Sequence, residues 1–488
     1  MTALQEIINK IENILIASDA LEVNLNGIDE EQLINKIKEY FTDKEEKILN
    51  KEILIKIVNE IKESNEKKVV VLHTNYKEAK DIDAKFEIKN IYPEKTSSST
   101  EDFLKYFNNR FDKIKRLIER RVNFIKDISS LKNYTNGREV AIVGLVYDKI
   151  TTKKGHILVT IDDPTGVAKV LFIKSDDPNL SKLYDSATKI VKDEVIAIKG
   201  KISNSLIIAN EIVYPEIPIK SITPSNEDIS IVFTSDIHIG SKLFLKDEFE
   251  KFIEWLKSDD KSARKVKYII LGGDVVDGIG VYPEQQKELE VKDIFKQYEI
   301  LKNYLEELPD YMHIFVAPGN HDAVTLAEPQ PPIPNDLFKE IKNSNIHLLS
   351  NPAYVTLNGL KVLVYHGASL DPIIRDIPGC SYERPTTGMI ELLKRRHLSP
   401  IYGGNEILPT REDKLVIEDI PDIVHMGHVH KNDYAIYHGV LFINSGTWQS
   451  RTIYQMKLGH LPTPGRVPIY NMHTSQLYTM KFSDLSYD

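Results

Sequence analysis

Along the first 72 residues, apolar side chains return at helical spacing. Ile7, Ile8, Ile11, Ile14 and Leu15 form one stripe; Leu33, Ile34 and Ile37, then Ile48, Leu49 and Ile53, form two more. Asp29 with Gln32, and Thr42 with Glu45, have the spacing of capping boxes ahead of the later runs. The pattern predicts a bundle of three short helices over 1–72, either self-contained or docking a partner. From 76 to 102 polar residues dominate, ending in Thr96-Ser97-Ser98-Ser99-Thr100, and predict a flexible linker. A helix to residue 132 follows, with nine Lys or Arg between Glu101 and Lys132 against five Asp or Glu, its charge expected to face solvent. Linker and basic helix together fill 73–136.

The period shortens to two from residue 137. Val140, Ile142, Gly144 and Val146 alternate with other side chains, as on a half-buried strand. Residues 156–161 and 167–173 flank Asp162-Asp163-Pro164-Thr165-Gly166, a turn sequence that joins them as a hairpin. A helix-like stretch at 180–191 and apolar runs at 194–199 and 206–213 complete the region 137–218. Three strands, a helix and two strands are the order of an OB-fold β-barrel. Its aromatics are few (Tyr147, Phe172, Tyr184, Tyr214), so no base-stacking platform is evident there. Over 219–488 the runs at 229–233, 267–271, 313–316, 362–365 and 423–426 are apolar without alternation, and helix-like stretches such as 246–256 and 291–308 lie between them. Such runs suit strands covered on both faces in an α/β domain.

At 488 residues the chain has length for about three domains. Its 63 basic and 72 acidic residues leave a net charge of −9, which speaks against a broad basic surface for nucleic acid. The single cysteine, Cys380, excludes an internal disulfide and any four-cysteine zinc site. No apolar run reaches the ~20 residues of a membrane-spanning helix, and the first residues mix Glu, Lys and Asp with Ile and Leu, unlike a signal peptide. A cytoplasmic protein with no membrane partner is expected. Histidine is unevenly spread: His73 and His156 precede residue 230 and the other twelve follow it, which points to chemistry in that half.

Polar residues gather where the apolar runs of that half end. In order they are Asp236-Ile237-His238, Gly273-Asp274, Gly319-Asn320-His321-Asp322, Tyr365-His366-Gly367 and Gly427-His428-Val429-His430. Singly, each fits a turn, a helix cap or a surface histidine. Five in succession at strand ends, where α/β folds place ligands, form a site. Asp and Asn offer hard oxygens and His a borderline nitrogen, a set that suits Mn²⁺, Fe²⁺ or Zn²⁺ and less readily Mg²⁺. The donors are too many for one ion and suit two, with a carboxylate such as Asp274 able to bridge them.

These motifs resemble the signature of the calcineurin-like metallophosphoesterases over about residues 229–450. The resemblance implies one metal on Asp236, His238, Asp274 and His430, and a second on Asp274, Asn320, His366 and His428. It implies that His321 is no ligand: a hydroxide bridging the ions attacks phosphorus, His321 assists the leaving oxygen, and Asp322 orients the His321 ring. Protein phosphatases of the superfamily carry an arginine between the last Asp and Gly of the second motif. Gly273-Asp274-Val275-Val276-Asp277-Gly278 has none to clamp a dianionic monoester, so a diester is expected.

A barrel ahead of such a domain resembles the small subunits of replicative DNA polymerases. Eukaryotic members have largely lost the metal ligands; this chain retains them and so resembles the archaeal family D branch. That resemblance covers about 137–486, including Asn444-Ser445-Gly446-Thr447-Trp448-Gln449. It implies a proofreading 3′→5′ exonuclease acting on the 3′ end of a DNA primer beside a large catalytic polymerase subunit, with a sliding clamp as a further partner and a nucleoid-associated location. A silent scaffold subunit, or an independent phosphodiesterase on small diesters, are the alternatives. Pro329, Pro331, Pro332 and Pro334 make a stiff loop that walls the site, meets the partner or merely connects; Arg395, Arg396 and Arg451 are expected to be solvent-exposed, with a hold on the DNA backbone as the alternative.

Overall fold

The computed structural model describes residues 15–16, 23, 25, 28, 30–42, 48–67, 78–92, 99–338, 344–408 and 410–485. The chain divides into two compact units, Met1–Tyr76 and Lys77–Asp488. In the first, β1 (Leu15–Ile16), α1 (Glu30–Tyr40), β2 (Ile48–Leu49) and α2 (Lys51–Lys67) follow in order, with β1 and β2 paired in parallel. The helices share a core of Leu33, Ile37, Leu54, Ile57, Val58 and Ile61. Ile48 and Leu49, expected inside a helix, are strand. The Asn50 side chain accepts the Ile53 N–H at 2.9 Å and starts the helix just after them. Asp29, Glu45 and most of the expected first helix lie outside the described residues.

The second unit corrects the flexible linker. Within it β3 (Phe86–Asn90) pairs antiparallel with residues 353–357. Phe86 and Ile88 alternate with polar neighbours, and Phe86 packs edge-on to Phe315. Two apolar side chains suffice because an edge strand draws its backbone hydrogen bonds from a neighbour already in place. The basic helix differs as well. In α3 (Thr100–Glu119), Phe111, Ile114 and Ile118 pack on Ala141, Val143, Val195 and Ala197, while Arg110 and Lys113 are buried. These two cations turn inward, onto Asp413 and Glu412, whereas Arg116, Arg120, Arg121, Lys126 and Lys132 are exposed, as expected.

The barrel comprises β4 (Glu139–Thr151), β5 (Ile157–Asp163), β6 (Gly166–Phe172), α4 (Pro178–Thr188), β7 (Val195–Ser203) and β8 (Leu206–Val213). Its five strands close in the order β4-β5-β6-β8-β7. The Asp163 carboxylate accepts the Thr165 and Gly166 N–H groups and makes the hairpin turn that the sequence predicts.

Beyond the barrel the chain forms β9 (Ser230–Thr234), α5 (Lys246–Lys257), β10 (Val266–Gly272), α6 (Ile294–Glu306), β11 (His313–Ala317), β12 (Ile346–Leu348), β13 (Ala353–Leu357), β14 (Leu360–Val364), α7 (Leu370–Asp376) and α8 (Thr386–Arg395). β15 (Ile423–Met426), β16 (Asp433–Tyr437), β17 (Val440–Asn444), α9 (Ile453–Leu458), β18 (Arg466–Asn471) and β19 (Gln476–Lys481) complete it. Two six-stranded sheets result, ordered β12-β11-β10-β9-β18-β19 and β16-β17-β15-β14-β13-β3. Ile231, Phe233, Ile270 and Phe315 of the first sheet meet Val355, Val362, Val364 and Ile443 of the second. The other pleat of the first, with Val232, Ile269 and Leu271, meets Phe249 and Phe252 of α5 and Leu301 of α6. Leu363, Val424 and Phe442 of the second meet Ile373 of α7 and Met389 and Leu392 of α8. The layers run helix, sheet, sheet, helix. Every residue of β9, β10 and β15 is buried, which is why those runs show no alternation. Among the described residues, no helix is long and apolar enough to cross a membrane.

Candidate metal centre

Loops leaving β9, β10, β11, β14 and β15 bring the five predicted motifs to one place. Asp236, His238, Asp274, His366 and His430 are buried, and Asn320, His321 and His428 are half-buried. Five of these non-glycine residues hold left-handed backbone: Asp236 (φ +52°), His238 (+54°), Asp274 (+51°), His428 (+70°) and His430 (+56°). Each such conformation costs about 1–3 kcal/mol and persists where the surroundings impose it. The glycines of the motifs allow the close approach: a Cβ on Gly319 would collide with the Asp274 carboxylate, and one on Gly427 with Ser235 and Asp236.

Two adjoining donor sets result. His238 Nε2 faces His430 Nε2 at 3.1 Å, with Asp236 Oδ1 3.4 Å from the latter and Asp274 Oδ2 3.9 Å from the former. Beside them His366 Nε2 lies 3.3 Å from Asp274 Oδ2 and 3.1 Å from Asn320 Oδ1, which is itself 3.1 Å from His428 Nδ1. Asp274 belongs to both sets. All seven residues expected as ligands are thus in one cluster.

The second nitrogen of each histidine is fixed from outside. His238 Nδ1 is 3.0 Å from Asp277 Oδ1, His366 Nδ1 3.0 Å from the Gly272 carbonyl, His428 Nε2 3.1 Å from Asp371 Oδ2, and His430 Nδ1 2.8 Å from the Gln455 amide. Such contacts orient an imidazole toward a metal and set its basicity. Asp277, Asp371 and Gln455 were not among the predicted site residues. Asp277 stands in the run that carries Asp274; Asp371 and Gln455 stand in no motif and come close only through the fold.

The two buried carboxylates draw positive charge to the cluster. Asp236 and Asp274 accept the His428 and His321 N–H groups, and Asp236 also the Ser235 hydroxyl; no lysine or arginine among the described residues bonds either. Burial pushes the Asp274 carboxyl up, but His366, His321 and His238 outweigh it and hold the group well below the usual carboxylate range. Burial likewise opposes charge on His366, and Asp274 overrides it, lifting the imidazole to about 10. Two imidazole nitrogens confronted at 3.1 Å repel unless one carries a proton or both meet a metal. The oxygen and nitrogen donors present fit divalent ions.

His321 is placed differently from the expectation. Its ring stands edge-on to His238, and its Nδ1 is 2.9 Å from the Asp277 main-chain carbonyl, so Asp322 does not orient it. Asp322 instead accepts the Gly319 N–H at 2.8 Å and the Tyr298 hydroxyl at 3.0 Å, bracing the loop from behind. Burial first, then the Asp274 charge, push the Asp322 carboxyl up to about 7. The proline loop also buttresses: Gln330 bonds Asn351, whose Oδ1 accepts the His366 N–H at 2.8 Å. Arg395 and Arg396 are buried rather than exposed. Arg395 pairs with Glu194 beside the barrel, and Arg396 donates to the carbonyls of Ile417 and Glu418. The cluster opens into a cleft of about 670 Å³ whose only lysine or arginine, among the described lining residues, is Lys457.

The chain is similar to known proteins. The family of DNA polymerase alpha/epsilon B subunits matches residues 231–434. The chain is 44% identical over 379 residues to the DNA polymerase II small subunit of Archaeoglobus fulgidus, covering 76% of this chain and 75% of that protein. It is 42% identical over 411 residues to that of Methanocaldococcus jannaschii, covering 81% and 68%. With that of Pyrococcus furiosus it shares 38% over 427 residues, covering 83% and 69%. A solved archaeal phosphodiesterase aligns with 52% of this chain and 99% of its own at 15% identity and a TM-score of 0.27, too low to bear on the fold.

Proposed function

The chain belongs to the archaeal DNA polymerase II (family D) small subunits, and from that premise we propose that its metal centre is a two-metal 3′→5′ exonuclease site of calcineurin-like type. A small subunit implies a large catalytic subunit as partner, which on this reading performs synthesis and supplies much of the hold on DNA. The observation that carries the reading is the junction of the two donor sets at Asp274, with His321 beside them. Asp236, His238, Asp274 and His430 would hold one ion and Asp274, Asn320, His366 and His428 the other. Bound there, divalent ions, Mn²⁺ foremost and Fe²⁺, Zn²⁺ or Mg²⁺ in its place, would offset phosphate charge and acidify water.

The chain's own groups do the rest. His321 keeps Nδ1 on the Asp277 carbonyl, which leaves Nε2 to meet the substrate. As water adds to phosphorus and loses a proton to solvent, the bond to the 3′ oxygen of the preceding nucleotide breaks; His321, having taken a second proton from solvent on Nε2, gives it to that oxygen, and a nucleoside 5′-monophosphate departs. A cleft whose described lining has no arginine suits the single charge of a diester better than the double charge of a monoester. On the same reading the barrel at 137–218 is an OB-fold.

The test is incubation of the purified chain with a 3′-mismatched primer–template and Mn²⁺, with and without the large subunit. Stepwise shortening of the primer is expected. An untouched primer with both subunits present would mark a scaffold, and cleavage of a model diester but not of the primer would mark an independent phosphodiesterase.

A further inference from the structure

We propose that Tyr382 and His460 form a platform on which the nucleobase of the 3′-terminal nucleotide stacks. The proposal rests on the reading of the cleft as a DNA 3′-end nuclease. Both side chains line the cleft, with ring centroids 3.9 Å apart and planes at 40°. The platform is tied to the metal centre by one carboxylate. Tyr382 donates its hydroxyl to Asp371 Oδ1 at 2.9 Å, and Asp371 Oδ2 lies 3.1 Å from His428 Nε2. A base resting on these rings is therefore held at a fixed distance from the phosphate position.

The remainder of the cleft wall favours this location. Glu284 and Glu288 line it and would repel a phosphate backbone away from the metal centre, and Lys457 is the one lysine or arginine among the described lining residues. Ile453 and Tyr454 also line it, 56% and 71% exposed, so the wall near α9 offers apolar surface. Ring faces accept any base, because every base has a π-face, and they bind without reading sequence. That property matches a site that must remove whichever nucleotide ends the primer.

The experiment uses the full chain with a fluorescent hexathymidylate and with the same oligomer ending in an abasic tetrahydrofuran residue. Binding is read by anisotropy with Ca²⁺, and KM and kcat with Mn²⁺. The wild type should favour the base-bearing end by roughly tenfold in Kd and KM, within the range of a single base–aromatic stack. Tyr382→Ala and His460→Ala should erase that preference, whereas Tyr382→Phe and His460→Phe, which keep the rings, should retain it. Equal affinity of the wild type for both ends overturns the platform, as does an undiminished preference in both alanine variants. A chain that binds the base-bearing end more tightly yet cuts neither oligomer upholds the platform and overturns the nuclease reading.

Discussion

The Nδ1 atom of His321 lies 2.9 Å from the main-chain carbonyl of Asp277, whose carboxylate lies 3.0 Å from Nδ1 of His238. One residue thereby sets both the ring expected to move a proton and a ring expected to bind a metal. The two contacts use different parts of Asp277, so substitution separates them. Asp277→Asn keeps the carbonyl but removes the charge behind His238. It should lower metal affinity by about 10–100-fold, as for other carboxylates that back a ligating histidine. Calorimetric titration with Mn²⁺ checks this, and an unchanged Kd would refute the role.

His321→Ala should remove most of the cleavage, a loss of roughly 10²–10⁴-fold for a group acting as general acid, while both metals stay bound. Its ring is no part of either donor set as assigned, and its N–H contact to Asp274 comes from the main chain. Elemental analysis beside the rate measurement decides the matter. A variant that loses metal in step with activity would make His321 a ligand instead.

Asp274→Ala should empty both positions, because its carboxylate faces His238 on one side and His366 on the other. The same elemental analysis should give near-zero occupancy, against loss confined to one ion for Asn320→Ala. Two retained metals in the Asp274 variant would remove the bridging assignment.

The candidate ligands were legible because chemistry there demands particular residue types next to particular glycines, as at Gly319-Asn320 and Gly427-His428. The division of the strands between two sheets was not. Val232 and Leu363 sit in runs of the same apolar character but in different sheets, and burial on both faces leaves no period to tell them apart. The role of Asp322 departs from what the resemblance implies: a carbonyl 44 positions away, that of Asp277, orients the His321 ring, and Asp322 accepts the Gly319 N–H instead. Arg110 and Arg395 show the limit of charge patterning: a cation reads as surface unless its buried acid, Asp413 or Glu194, is known to lie beside it.

That buried pair yields a stability prediction. Arg110 Nε is 2.8 Å from Asp413 Oδ2, both side chains are fully buried, and Arg110 also donates to the Pro400 and Asp193 carbonyls. Arg110→Met should cost about 3–5 kcal/mol, since it leaves a buried carboxylate uncompensated. Asp413→Asn should be similarly damaging, and the double variant should cost less than the two added together by about 1 kcal/mol or more. Urea midpoints of the four proteins measure the coupling; strict additivity would mean that the pair does not act as one.

His397 makes the same region sensitive to pH. Its Nδ1 accepts the Ser399 N–H at 2.9 Å, and its Nε2 donates to Asp413 Oδ2 at 2.8 Å, so both contacts are satisfied by the neutral ring. A second proton would displace the Ser399 contact. Burial, then the nearby Arg110, hold the imidazole down to about 4 from its ordinary 6.5. The folded chain therefore binds this proton less readily than the unfolded chain. The stability it contributes is complete above about pH 6.5 and is lost as the pH falls toward 4, with a slope of up to about 1.4 kcal/mol per pH unit for one proton. Other buried histidines add to the total slope, so the informative quantity is the difference between the wild type and His397→Gln. Between pH 6.5 and 4.5, the urea midpoint of the variant should fall less steeply than that of the wild type. Parallel lines would show that His397 takes up its proton as easily folded as unfolded, which the Ser399 and Asp413 contacts do not permit.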